Sequence, residues 1–266
     1  MALGSVGPFA VCLDINEQPN GGRATARLQV SPLMSIRILA VSDQIDPRIH
    51  SATLRERMPD IDLVFGCGDI PARYLEFLAD ALNKPVYFVH GNHLEELTRY
   101  GEEGKYYEPM GCIDLGGKVV HDRATGLILA GLPGSPKYSN NGSEQYSEFD
   151  VMLMIARMAP RLLWNRIRHG RALDVLISHS PPRDINDRSD PAHRGFMAIR
   201  RFLKWFKPAY HFHGHIHLYD RNEPSTAQFE RTTVINVYPY RVVDLQTNGA
   251  GAPIHSVAQQ TQTIGA

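Results

Sequence analysis

Short runs of β-branched and other apolar residues recur along the chain, separated by longer stretches in which apolar and polar positions alternate with helical spacing. The runs fall at 36–41, 61–65, 85–89, 127–130, 173–178, 209–212 and 233–237. Brief apolar runs bounded by Gly, Pro or Asp predict strands. Between two of them, 71–82 places Tyr74, Leu75, Leu78 and Leu82 on one stripe behind a proline in the first turn, which predicts a helix. Two further helices are expected at 144–168 and 195–206. Strands followed by crossover helices build a parallel or mixed sheet covered by helices. In such sheets ligands collect beyond the carboxyl ends of the strands, so those ends are where chemistry is expected.

The two ends of the chain break the pattern. Residues 1–33 show no sustained helical or strand periodicity and contain Asn20-Gly21-Gly22 and Ser31-Pro32, so they are expected to form a disordered extension. The folded domain is expected over 34–245, starting at Met34. Residues 246–266, rich in Gln, Thr, Gly and Ala, are expected to be a flexible tail. At 266 residues the chain can bury a substantial core. Its Lys+Arg count of 28 equals its Asp+Glu count of 28, so charge points to neither a nucleic-acid nor a membrane partner. Cys12, Cys67 and Cys112 are widely spaced, which argues against a disulfide framework or a cysteine zinc site and fits a cytoplasmic protein. No apolar run reaches the ~18 residues of a membrane span, and no basic residue precedes Arg23 as a signal peptide would require.

Polar, metal-binding residue types follow the predicted strands. Ser42-Asp43 comes after the first run, Gly66-Cys67-Gly68-Asp69 after the second, and His90-Gly91-Asn92-His93 after the third. Ser178-His179 and His213-Gly214-His215-Ile216-His217 close two later runs. Carboxylates, imidazoles and an amide oxygen make a mixed oxygen and nitrogen set suited to manganese, iron(II) or zinc. Two such ions lying close together can clamp both oxygens of a phosphoryl transfer and activate a water. Gly68, Gly91 and Gly214 remove a Cβ where backbone must pass near the site.

The ordered series Asp43, Gly68-Asp69, Gly91-Asn92-His93, His179 and Gly214-His215-Ile216-His217 resembles the calcineurin-like metallophosphoesterase signature over about residues 34–245. The resemblance implies a four-layer α-β-β-α sandwich with mixed sheets and a two-metal site at the strand carboxyl ends. It further implies metal-dependent hydrolysis of a phosphomonoester or phosphodiester by a metal-activated water. Asp69 would bridge the ions. Asn92, His179 and His215 would complete one site, and Asp43 and His217 would belong to the other. His93 would be the phosphate-binding or general-acid histidine. Two positions depart from the pattern: Ile45 stands where the first motif has a histidine, and Leu94 where an acidic residue follows the third.

Blander readings exist for each residue taken singly. A lone Asp after a strand is a turn former, and His211 and His213 alternate with Phe212 as strand residues do. His193 reads as part of a solvated loop. Arg157, Arg161, Arg166, Arg168 and Arg171 read as the wet face of a helix. Ile45 keeps open an alternative function, a catalytically weakened protein of the same fold that binds metal or a partner. The phosphorylated substrate is not specified, and the loops at 132–145 and 180–195 are expected to choose it.

Overall fold

Strands that are apolar on both faces need cover on both sides, and two stacked sheets with helices outside them supply it. The structure is a computed structural model that describes residues 9–16, 25–32, 34–93, 108–139, 142–220 and 222–247. Ahead of the main sheets, β1 (Phe9–Asn16) pairs antiparallel with β2 (Thr25–Pro32) as a separate two-stranded sheet. This hairpin lies where the sequence predicts no regular structure. Its strands do alternate, with Val11, Leu13 and Ile15 at every second position of one and Ala26, Leu28 and Val30 of the other.

The domain then runs β3 (Met34–Val41), α1 (Leu54–Arg57), β4 (Leu63–Cys67), α2 (Ala72–Leu82), β5 (Val86–Val89) and β6 (Cys112–Asp114). It continues through β7 (Val119–His121), β8 (Ile128–Leu132), the short pair β9 (Ser135–Pro136) and β10 (Gln145–Tyr146), and α3 (Glu148–His169). β11 (Val175–Ser178), α4 (Met197–Phe206), β12 (Tyr210–His213), β13 (Thr226–Phe229), β14 (Thr232–Asn236) and β15 (Tyr240–Thr247) complete it. The first sheet has the order β15-β3-β4-β5-β6, parallel except for β15. The second has the order β13-β14-β12-β11-β8-β7, parallel except for its two edge strands.

Three apolar clusters hold four layers together. Ile38, Phe65 and Val89 of the first sheet meet Leu129, Ile177 and Phe212 of the second in the central cluster. The outer face of the first sheet packs Leu39, Val64 and Phe88 against Leu75 and Leu78 of α2. The outer face of the second packs Ala130 and Leu176 against Ile155 and Leu162 of α3 and Phe202 of α4. The architecture is therefore the α-β-β-α sandwich with mixed sheets. Among the described residues no helix is long and apolar enough to cross a membrane.

Local chemistry sets the helix ends. Ser147 and Asp150 form a capping box at the start of α3, each side chain accepting the other's backbone N–H, at 3.2 and 2.9 Å. That is why the helix begins later than 144, the preceding residues being used by β10. Gly170, at φ 72°, ends it in the left-handed conformation. The Glu148 carboxylate also accepts the N–H groups of Met197 and Ala198 at 2.8 Å each, so the first turn of α3 caps α4. β15 carries the domain two residues beyond the expected 245, pairing Gln246 with Ser35 and Thr247 with Met34. The remainder of the expected tail, 248–266, lies outside the described residues.

Because β1 and β2 pair only with each other, a chain starting at Met34 should keep the melting temperature and helix content of the full chain. Thermal denaturation followed by circular dichroism checks this. A large fall in melting temperature would mean that the hairpin packs on the sandwich.

Candidate metal centre

Parallel neighbours in a sheet end at the same edge, and facing sheets bring two such edges together. β3, β4 and β5 deliver Asp43, Asp69 and Asn92-His93 to this edge, while β11 and β12 deliver His179 and the segment carrying His215 and His217. The backbone turns sharply there. Asp43, Asp69 and His215 all sit in the left-handed region, at φ 61°, 52° and 66°. Few non-glycine residues adopt that conformation, and it concentrates where surrounding structure holds a functional group in place. At position 91 only glycine fits, because a Cβ would lie 2.0 Å from Asp69 Oδ1 and 2.5 Å from its backbone nitrogen.

Asp43, Asp69 and His179 place one ligand atom each within 4.8 Å of one another. His179 is fully buried, with Nδ1 bonded to the Cys67 carbonyl at 2.9 Å. A carbonyl only accepts, so Nδ1 carries a proton and Nε2 is the atom turned to the cluster. Nε2 lies 3.0 Å from Asn92 Oδ1 and 3.3 Å from Asp69 Oδ2. The His215 backbone N–H donates to both oxygens of Asp43, at 3.2 and 3.0 Å, and its ring stands 4.8 Å from that of His179. His215 Nε2 is bonded to the Ala192 carbonyl at 2.7 Å, leaving Nδ1 with the lone pair. His217 Nε2 approaches Asp43 Oδ1 to 3.4 Å, and its ring stacks on Tyr238. The seventh candidate, His93, is exposed at the rim, with its backbone N–H on Asp69 Oδ1 at 2.9 Å.

The electrostatics follow from this convergence. Burial alone would push His179 down, but the charge of Asp69 and the hydrogen bond to it outweigh burial and raise the ring to about 9. Burial works against ionisation of Asp69 too, yet the neighbouring His179 holds it well below the usual carboxylate range. His215 is pushed down to about 3, by burial first and the His179 charge second. A proton on His179 Nε2 thus occupies the place between oxygens that a cation would take. The donor set is right for a borderline divalent ion: carboxylates, imidazoles with their other nitrogen tied, and an amide oxygen.

Several partners carry no sequence signal. Tyr138 Oη lies 3.1 Å from Asn92 Nδ2, which turns the amide oxygen toward His179. Asp190 accepts from His193 Nδ1 at 2.8 Å, and that ring lies 5.3 Å from His215, so His193 borders the centre instead of pointing into solvent alone. Tyr238 Oη donates to Gln44 Oε1 at 2.8 Å. Asp46 forks onto the backbone N–H and guanidinium of Arg48. Neither Gln44 nor Asp46 therefore stands in for the histidine that Ile45 replaces. His211 and His213 are fully buried sheet residues, His211 on Ser178 Oγ at 2.7 Å. Arg171 falls outside the helix and pairs with buried Asp174 at 2.6 Å, unlike the exposed arginines of α3.

The sequence profile of the calcineurin-like phosphoesterases matches residues 36–219, from the start of the first sheet past the last candidate ligand. The chain belongs to that family. No curated protein sequence matches it significantly. Among solved structures, TT1561 of Thermus thermophilus is similar with a TM-score of 0.53 and 14% identity, over 81% of this chain and 99% of that one. Vps29 of Entamoeba histolytica, solved with zinc, shares 9% identity at a TM-score of 0.35, over 85% and 97%. At such identities the TT1561 likeness speaks for the fold alone. As a calcineurin-like phosphoesterase, the chain has its carboxylate and histidine cluster at the sheet edge where the family match lies.

In the metal-free protein, folded His179 holds its proton up to about 9, whereas the unfolded side chain loses it near 6.5. Its contribution to stability is complete below pH 6.5 and vanishes as pH rises through 9. Metal-free protein should therefore melt at a lower temperature at pH 9.5 than at pH 6.5. A divalent ion taking Nε2 must displace that proton, so metal binding near neutral pH should release it. Calorimetry in buffers of different ionisation enthalpy measures the release, and binding with no proton released would show that Nε2 is not a ligand.

Proposed function

We propose that this calcineurin-like phosphoesterase hydrolyses a phosphomonoester or phosphodiester with the help of two divalent ions, manganese, iron or zinc. The observation that carries the proposal is the convergence of Asp43, Asp69 and His179 within 4.8 Å at the sheet edge. Asp69 lies 3.3 Å from His179 and shares the cluster with Asp43. It would hold both ions. Asn92, His179 and His215 would complete one site, and Asp43 and His217 the other. Bound ions would supply a water activated at neutral pH and neutralise charge on the phosphoryl oxygens.

The remaining steps belong to side chains of the chain itself. His93 is exposed where a substrate enters, and its main chain is anchored on Asp69. Its ring would bind a phosphate oxygen or protonate the leaving group. Tyr138 accepts from the Asn92 amide nitrogen, so that the amide oxygen would be the atom offered to an ion. With Gln44 and Asp46 engaged elsewhere, the site that shares Asp43 and His217 has fewer protein donors than its neighbour. The partly exposed Ile45 supports a second reading, a weakened enzyme whose site holds one ion and serves a binding role. Manganese-stimulated hydrolysis of a chromogenic bis-aryl phosphodiester and of the matching monoester separates the two, since a binding protein turns over neither.

Metal titration of the metal-free protein should give two unequal steps, the weaker belonging to the site beside Ile45. Asp69→Asn should weaken both steps and abolish hydrolysis, because one carboxylate serves both ions. Normal metal content in that variant, by elemental analysis, would remove Asp69 from the bridge. His93→Ala should behave differently, keeping metal stoichiometry while turnover falls about 10²–10⁴-fold, the scale of a general acid. Loss of metal in that variant would make His93 a ligand.

A further inference from the structure

A hydroxyl that accepts a hydrogen bond keeps its own proton to give. Tyr138 is in that position. Asn92 Nδ2, an atom that only donates, lies 3.1 Å from Tyr138 Oη, so the phenol oxygen accepts there and its O–H is directed elsewhere. Asn92 Oδ1 cannot take that proton, being engaged with His179 Nε2 at 3.0 Å. Among the described residues the hydroxyl has no other hydrogen-bond partner. Asn92 is buried, at 4% exposed, while Tyr138 is 39% exposed. The phenol thus stands between a candidate ligand and solvent, and water takes its proton until a better acceptor arrives.

The loop holds the ring in that place. β8 ends level with β11, Leu132 opposite Ser178, so the chain leaves β8 at the edge that carries the centre. Gly134 then donates its N–H to the carbonyl of His90, two residues before Asn92, at 2.9 Å. At φ 71° it passes so close to Glu144 that a Cβ would lie 2.1 Å from that carbonyl oxygen. β9 and β10 pair just beyond, and the Gln145 side-chain oxygen accepts the N–H groups of Tyr138 and Ser139 at 3.2 and 3.1 Å. A donor already fixed in this way loses little freedom when a ligand arrives. Accepting from Asn92 also makes the hydroxyl a stronger donor, and a cation on the amide oxygen would strengthen it further.

Valence says which ester can use this donor. A phosphodiester has two unesterified oxygens on phosphorus and a monoester has three. Two ions offer places for two of them. A further donor then serves an ester with a third, whereas in a diester that place belongs to an oxygen bonded to carbon, a weak acceptor. We propose that Tyr138 is a catalytic residue that donates its hydroxyl hydrogen bond to the third phosphoryl oxygen of a phosphomonoester and so inclines the site toward monoesters. The proton stays on Tyr138 throughout, and the proposal rests on the phosphoesterase reading of the centre.

Tyr138→Phe keeps the ring, removes the hydroxyl and should leave the thermal melt unchanged. Assays in saturating manganese take out any effect on metal affinity through Asn92. There kcat/KM for an aryl phosphomonoester should fall about 10–100-fold, the worth of one hydrogen bond to a charged acceptor, against less than about threefold for a bis-aryl diester. An equal fall with both esters would show that Tyr138 acts only by positioning Asn92, and no fall would show that its proton goes to water alone; either result overturns the proposal. So does an unaltered chain that hydrolyses the diester and not the monoester. Inorganic phosphate carries the third oxygen and needs no turnover. Calorimetry in the same manganese should find it bound about 10–100-fold more weakly by Tyr138→Phe. If the unaltered chain hydrolyses neither ester, the phosphoesterase reading fails, and the phosphate titration still decides for Tyr138. Equal phosphate affinity in the two proteins, or none in the unaltered one, overturns its assignment as the donor.

Discussion

Two carboxylates brought together in a largely buried place repel each other and lose their water, so something positive must lie between them. Asp43 and Asp69 are in that position, and much of the molecule is arranged around the need. In the metal-free chain a proton on His179 meets it, held by Asn92 and Asp69 on one side of the ring while the Cys67 carbonyl fixes the other. A divalent ion meets it more fully, and the left-handed turns at Asp43, Asp69 and His215 make sense as conformations held for that purpose. Gly91 is the clearest sign of how closely the parts fit, because one methyl group there would collide with the Asp69 carboxylate.

The sandwich is legible in the sequence to the extent that its strands are buried on both faces. Continuous apolar runs announce β3, β4, β5, β8, β11, β12 and β14, each within a residue or two of where it lies. The strands that leave no such mark are of other kinds. β6, β7, β9 and β10 have only two or three residues, too few for any period to emerge. β15 is longer, but Arg241 and Asp244 interrupt its apolar positions, and its pairing to β3 is a contact across the whole domain that no local pattern encodes. The hairpin β1–β2 is hidden by Asn20-Gly21-Gly22, a tripeptide that suits a disordered stretch and a bend between strands equally well.

The candidate centre divides in the same way. Residues directly after strands can be named from order and type, as with Asp43, Asp69, His179 and His215. What fixes them cannot, because the groups that do so are distant in sequence and ordinary in kind: a tyrosine at 138, carbonyls of Cys67 and Ala192, an Asp190–His193 pair. Tyr138 and His193 come from the two loops expected to shape the substrate pocket, and both reach the centre's edge. Loops that chose the substrate would thus also orient the centre's side chains, and a loop change that altered one would disturb the other.

The pairing of β3 with β15 has a consequence for how the molecule comes into being. The first strand of the sandwich leaves the ribosome long before its neighbour on that side, and their eight-residue ladder is antiparallel, so the two ends of the domain lie side by side. Asp43 follows closely on β3; its backbone N–H donates to the Gly68 carbonyl and its carboxylate accepts the His215 N–H, from segments far apart along the chain. A partly synthesised chain thus holds one carboxylate without the histidines that belong beside it. Capture of an ion by this cluster would then be an event of completion, after the histidines have joined the carboxylates. Any metal bound earlier would be held by a different and looser set of donors, to be exchanged when the sheet closes.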